Sequence, residues 1–137
     1  MGTNTTGSDA RDFGQQLMHF CRASFAYNTP NIATDGTIKV GTIPAGSIIV
    51  MAGIKVTTAF NAGTTNTINV GTASDHDAVI DELDITASAA EWQVSYRGGD
   101  VTFTADTPLY VTYDQTGDAA TAGAGEVVVM YIPDNDL

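Results

Sequence analysis

The amino-acid sequence predicts an all-β protein, a single jelly-roll-like β-sandwich of about eight strands with an extended N-terminal arm. Two observations carry this prediction. Runs of alternating or β-branched residues recur along the chain, among them Val56–Phe60, Thr67–Val70, Tyr110–Tyr113 and Glu126–Ile132, and each is bounded by Gly, Asn, Asp or Thr. Counting these runs gives about eight, the number a jelly roll uses.

The elements follow in order. Residues 1–9 are rich in Gly, Thr, Asn and Ser without periodicity and read as a flexible start. From Phe13 to Tyr27 two patterns compete. Phe13, Leu17, Phe20 and Ser24 fall at helical spacing, whereas Leu17, His19, Cys21, Ala23 and Phe25 alternate against Met18, Phe20, Arg22, Ser24 and Ala26. The aromatics and the absence of Glu and Lys favour the strand, with helix as the alternative. Residues 1–27 are therefore read as an arm able to contribute a first strand, and residues 28–137 as the sandwich. Asn28-Thr29-Pro30-Asn31 imposes a turn, because proline fixes φ and lacks a donor.

Thr37–Val40 is a short strand, and Ile43-Pro44-Ala45-Gly46 turns the chain into the long run Ser47–Phe60. Gly53 interrupts that run and predicts a bulge or corner there. Asn61-Ala62-Gly63-Thr64 then reads as the turn of a hairpin to Thr67–Val70, with Ile68 and Val70 facing in. The carboxylate-rich stretch Asp75–Ile85 reads as a helical turn or irregular loop. Strands resume at Trp92–Tyr96, Val101–Thr104, Leu109–Tyr113 and Glu126–Ile132, the last two separated by a Gly/Ala/Thr loop over residues 117–125.

At 137 residues the chain suits one domain. Sixteen acidic against five basic residues, a formal charge of −11, repel phosphate backbones and disfavour nucleic-acid binding. Only 15% of residues are charged, so small hydroxyl and amide groups must cover much of the surface, which suits packing against further copies. A lone cysteine, Cys21, permits no internal disulfide, so the fold does not depend on an oxidising compartment. No window approaches the ~20 apolar residues of a membrane helix, and the first residues lack the pattern of a signal peptide. No membrane partner is expected.

Candidate chemistry is thin. Asp75, Asp77, Asp81, Glu82 and Asp84 offer oxygens to a hard cation such as calcium, but no glycine occupies the EF-hand turn position and Val79 and Ile80 break the ligand rhythm. Solvated charge that maintains solubility is the favoured reading, with no metal and no cofactor assigned. His19 and His76 have no partners at zinc spacing, and no nucleophile turn is present. No catalytic residue is assigned and no enzymatic activity is expected. Trp92, Tyr96, Phe103, Tyr110, Tyr113 and Tyr131 could stack on sugars, but their spread over several strands fits core and subunit contacts better.

Ile43-Pro44-Ala45-Gly46, Val56–Asn66, Asn69-Val70-Gly71-Thr72 followed by Asp75, Thr112–Gly117 and Ala122–Val129 together resemble the head decoration or cement proteins of tailed bacteriophages. The likeness spans roughly residues 15–133. It implies a β-sandwich that binds the outer capsid surface, with the major capsid protein and further copies of itself, as a homotrimer, for partners. It also implies assembly in the host cytoplasm and a terminal arm that reaches a neighbour. Phe13, Leu17, Phe20 and Tyr27 are the expected partner-binding residues, with loop 117–125 beside them. The alternative is a carbohydrate-binding or host-adhesion module of a phage head or tail fibre, which needs exposed aromatics near the loop at 75–84.

Overall fold

The computed structural model describes residues 18–86, 92–94 and 102–134. Eight strands appear: β1 (His19–Ala26), β2 (Ile38–Ile43), β3 (Ile48–Thr58), β4 (Thr65–Gly71), β5 (Ile80–Asp84), β6 (Trp92–Val94), β7 (Thr107–Thr116) and β8 (Ala124–Ile132). They form two antiparallel four-stranded sheets, ordered β1-β8-β3-β6 and β2-β7-β4-β5. Sequential strands mostly alternate between sheets, so each sheet joins strands distant in sequence, which is the doubled Greek key of a jelly roll.

Strand period explains the core. On β8, Val127 and Val129 are fully buried while Val128 and Met130 are only half-buried, and on β4 the inward Ile68 and Val70 alternate with Thr67 and Asn69. Ile43, Ile49, Ile54, Val56, Leu109 and Val111 complete the interior from both sheets. Each such side chain stabilises the fold by about 1.5–3 kcal/mol when fully buried. A run of aromatics ties the sheets together: the Phe25 ring lies 5.8 Å from Phe60, and Phe60 lies 5.0 Å from Tyr113, centroid to centroid. Gly123 permits this packing. Its φ of 144° lies in a region that favours glycine, and a Cβ there would sit 2.3 Å from the Phe60 ring.

Residues 19–26 adopt the strand alternative and pair along their whole length with β8, from His19↔Tyr131 to Ala26↔Ala124. Several local expectations are corrected. Gly53 makes no corner: β3 runs straight through it, paired with Val128 on one side and Val94 on the other, and the register shifts fall between Ile49 and Met51 and between Val56 and Thr58. Asn61–Thr64 is no hairpin turn. It carries the chain from β3 in one sheet to β4 in the other, because β4 takes β5 and β7 as partners. Residues 80–84 form a strand, not a helical turn or loop, since Ile80 and Leu83 find places against Val70 and Ile68. Of the strand expected over Val101–Thr104, Thr102 makes only an isolated bridge to Ile48, and Val101 lies outside the described residues.

Candidate functional site

The outer face of the β1-β8-β3-β6 sheet is built from alternate residues of three adjacent strands. Antiparallel register places Phe20 beside Met130 and Arg22 beside Val128, then Met130 beside Met51 and Ile132 beside Ile48. Cross-strand neighbours on one face stand about 5 Å apart, so Phe20, Val128, Met130, Met51, Ile132 and Ile48 form a continuous apolar strip with Arg22 at its edge. Phe20 is 57% exposed, Ile48 58% and Ile132 39%. Phe20, Arg22, Val128 and Met130 line a groove of about 340 Å³.

A polar strip flanks the apolar one. The Arg22 guanidinium bonds the Glu126 carboxylate and also sits 5.9 Å from the centroid of the Phe20 ring. Glu126 in turn pairs across β3 with the exposed Lys55. The bond from Arg22, reinforced by the positive charges of Arg22 and Lys55, holds the Glu126 carboxyl below its usual range. This strip therefore carries both signs of charge.

The expected partner-binding residues do not form one group. Phe13 and Leu17 lie outside the described residues. Phe20 stands on the exposed face, whereas Tyr27, at the opposite end of β1, packs partly buried against the core and donates its backbone N–H to Gly123 O at 3.0 Å. Met130, Ile48 and Ile132 were not anticipated as surface residues. Their signal is two runs apolar at odd and even positions alike, Ile48-Ile49-Val50-Met51 and Val127-Val128-Val129-Met130-Tyr131-Ile132, which mark strands apolar on both faces.

Loop 117–125 is held by side-chain bonds. Asn61 accepts backbone N–H bonds from Thr121 and Ala122 at 2.9 Å each and donates to Thr121 Oγ1 at 2.9 Å, while Gln115 accepts from Ala120 N–H at 2.8 Å.

On the other sheet an acidic recess of about 360 Å³ is lined by Ala33, Asp35, Asn69, Ser74, Asp75, His76, Asp77 and Asp114. Burial, and then the charge of Asp35, push the Asp114 carboxyl above its usual range, and a 3.2 Å bond from Asn69 Nδ2 works in the opposite sense. His76 is engaged at both ring nitrogens, Nδ1 at 3.0 Å from Asp35 and Nε2 at 3.1 Å from Ala73 O, so it activates no nucleophile here. The five carboxylates of the 75–84 stretch are divided, with Asp75 and Asp77 in the loop and Asp81, Glu82 and Asp84 on β5. Among the described residues no three His, Cys, Asp or Glu side chains are grouped to hold a metal ion. Among the described residues no Phe, Tyr or Trp lines the recess. No helix among the described residues is long and apolar enough to cross a membrane.

No protein-family model matches the sequence, and no curated protein matches it. The fold, in contrast, is similar to chains in three solved structures. One belongs to the cyanophage Pam1 capsid asymmetric unit, with a TM-score of 0.68 and 16% identity over 96% of this chain and 97% of the other. A second is from the acidic stable capsid of Helicobacter pylori bacteriophage KHP30, with a TM-score of 0.61 and 19% identity over 85% and 87% of the two chains. The third is from the capsid of Ralstonia phage GP4, with a TM-score of 0.58 and 16% identity over 93% and 90%. The likeness is one of fold, and it covers 85–97% of each chain compared.

Proposed function

We propose that this chain is a structural protein of a tailed-bacteriophage virion, bound to the outside of the capsid, where it bridges and stabilises the subunits of the shell. It assembles there with copies of itself, as a trimer, after synthesis in the host cytoplasm. The observation that supports this most is the likeness of fold, over 85–96% of this chain, to chains in three phage capsid structures.

The physical features agree. A capsid offers many identical sites, so a weak contact per copy becomes strong when several are engaged together. A formal charge of −11 keeps the protein off nucleic acid. Phe13 and Leu17 are the arm residues assigned to the shell contact. Among the described residues the acidic recess has no ring of Phe, Tyr or Trp at its wall, which favours the shell reading over the sugar-binding alternative.

Co-sedimentation with particles lacking the protein tests the reading. Full-length protein is expected to rebind at fixed stoichiometry, and Phe13→Ala/Leu17→Ala to lose binding while still melting cooperatively. Protein that never pellets with particles would sink the proposal.

A further inference from the structure

We infer that the outer face of the β1-β8-β3-β6 sheet is the surface through which one copy of this chain packs against another. This deepens the capsid reading above, on which it rests, by naming a contact that joins copies in pairs: a face that complements itself closes as a two-fold pair, so it stands beside the contact that closes the trimer and does not replace it. The face has two strips that together complement themselves. Phe20, Met130 and Ile48 expose apolar surface, and Arg22, Lys55 and Glu126 beside them carry both signs of charge. Glu126 is the one carboxylate at the outward positions of β1, β3 and β8, whereas Asp35, Asp77 and Asp114 line a recess on the other sheet.

Charge selects the occupant. Two copies of formal charge −11 repel wherever their acidic surfaces approach, so association is confined to a face where charge is balanced. A mixed-sign strip next to an apolar strip meets its own copy without leaving a like-charged pair, because the cation of one copy can face Glu126 of the other.

Area sets the strength. Strands β1, β3 and β8, of 8, 11 and 9 residues, with the three-residue β6 beside them, lie about 4.8 Å apart and present on the order of 500 Å², short of the ~800 Å² per partner of a stable standard interface. The contact is therefore weak in dilute solution and depends on concentration, and it is completed when a surface holds the copies side by side.

Sedimentation velocity on the full-length chain between ~1 and ~200 µM at ~0.15 M salt tests this. The wild type is expected to rise from the monomer mass of 14.3 kDa to a multiple of it. Met130→Glu and Ile48→Lys, each checked for an unchanged melting curve, are expected to weaken association at least tenfold. A wild type that stays monomeric at every concentration overturns the inference, and so do folded variants that associate as the wild type does. If those variants, on a monomeric wild-type background, lose particle binding, the face belongs to the shell contact and not to copies. The capsid reading fails separately: protein that associates through this face but ignores particles refutes that reading alone.

Discussion

Asn66 is the residue on which the most backbone and side-chain order converges in the interior. Its Oδ1 accepts from Tyr113 Oη at 2.6 Å and from Ala62 N–H at 3.1 Å, and its Nδ2 donates to Thr86 Oγ1 at 3.3 Å. Asn66 is fully buried and Tyr113 nearly so, and burial pushes the Tyr113 phenol up, so it stays a donor throughout the working range of pH. Removing the amide takes the acceptor from the part-buried Ala62 N–H and leaves the buried Tyr113 hydroxyl only a 3.4 Å contact to Gln115 Oε1, so part of the desolvation of each donor is no longer offset. Asn66→Ala is expected to destabilise by about 2–4 kcal/mol, and Tyr113→Phe, which leaves Oδ1 its bond from Ala62, by about 1 kcal/mol. Urea denaturation checks both, and equal losses for the two variants would contradict the account. Asp114 supplies a test by pH. Because its folded pKa is raised, its contribution favours the native state below the ordinary carboxylate range and is lost as pH rises through the raised value. Asp114→Asn keeps an oxygen for Asn69 and removes the charge. It is therefore expected to melt about 1–3 °C above wild type at pH 7, a small gain because solvent screens a part-exposed group, and to match wild type near pH 3. A gain of the same size at both pH values would show that charge is not its cause.

At the scale of elements, β5 shows why part of the fold was hidden in the sequence. The run Ile80-Asp81-Glu82-Leu83-Asp84-Ile85 lacks a period of two across its length, and its carboxylates read as solvated loop. In the structure Ile80 pairs with Val70 and Leu83 with Ile68, so Asp81 and Glu82 together oppose Asn69. The extra residue re-phases the strand, and Leu83 and Ile85 then face the same side as Ile80. Glu82 takes the strain with a φ of 45°, and its unpaired N–H bonds to Asn69 Oδ1 at 2.6 Å. A bulge satisfied from a different strand leaves no local mark. The same reasoning covers Asn61–Thr64, whose turn composition was legible while its destination depended on which sheet β4 joins. The regular strands were legible because β4 alternates and because β7 and β8 are rich in β-branched and aromatic residues. Asn69→Ala should remove the bond that supports the bulge, together with the bond to Asp114, at a cost of about 1–2 kcal/mol. Hydrogen exchange localises the effect: faster exchange is expected at Glu82 and its neighbours on β5, with β8 unaffected below global unfolding. Uniformly faster exchange would mean that the bulge is not a local feature.

For the whole molecule, the jelly roll makes the chain's two ends one structural unit, since β1 pairs residue for residue with β8. On the proposed function residues 1–17 and β1 have different tasks, although the sequence joins them in one apolar segment from Phe13 to Tyr27. The inward residues of β1 belong to the sandwich: Phe25 is buried against Phe60, and Cys21 lies so close to Gly41 that a Cβ on that glycine would stand 2.6 Å from its Sγ. Deleting residues 1–26 takes Phe25 from the core, worth about 3–5 kcal/mol by itself, and opens the edge of β8 to solvent and to other chains. That loss approaches the whole stability of a domain of this size, so the truncated protein is expected to be insoluble or molten. Deleting only residues 1–17 leaves every strand pair among the described residues in place, and the melting temperature is expected to stay within ~2 °C of wild type. On the proposed function that shorter deletion still loses particle binding, because Phe13 and Leu17 go with it. Melting curves and co-sedimentation of the two deletions separate the cases. A 1–17 deletion that melts far below wild type would place those residues in the core's support, and one that still binds particles would transfer the shell contact from the arm to the body of the sandwich.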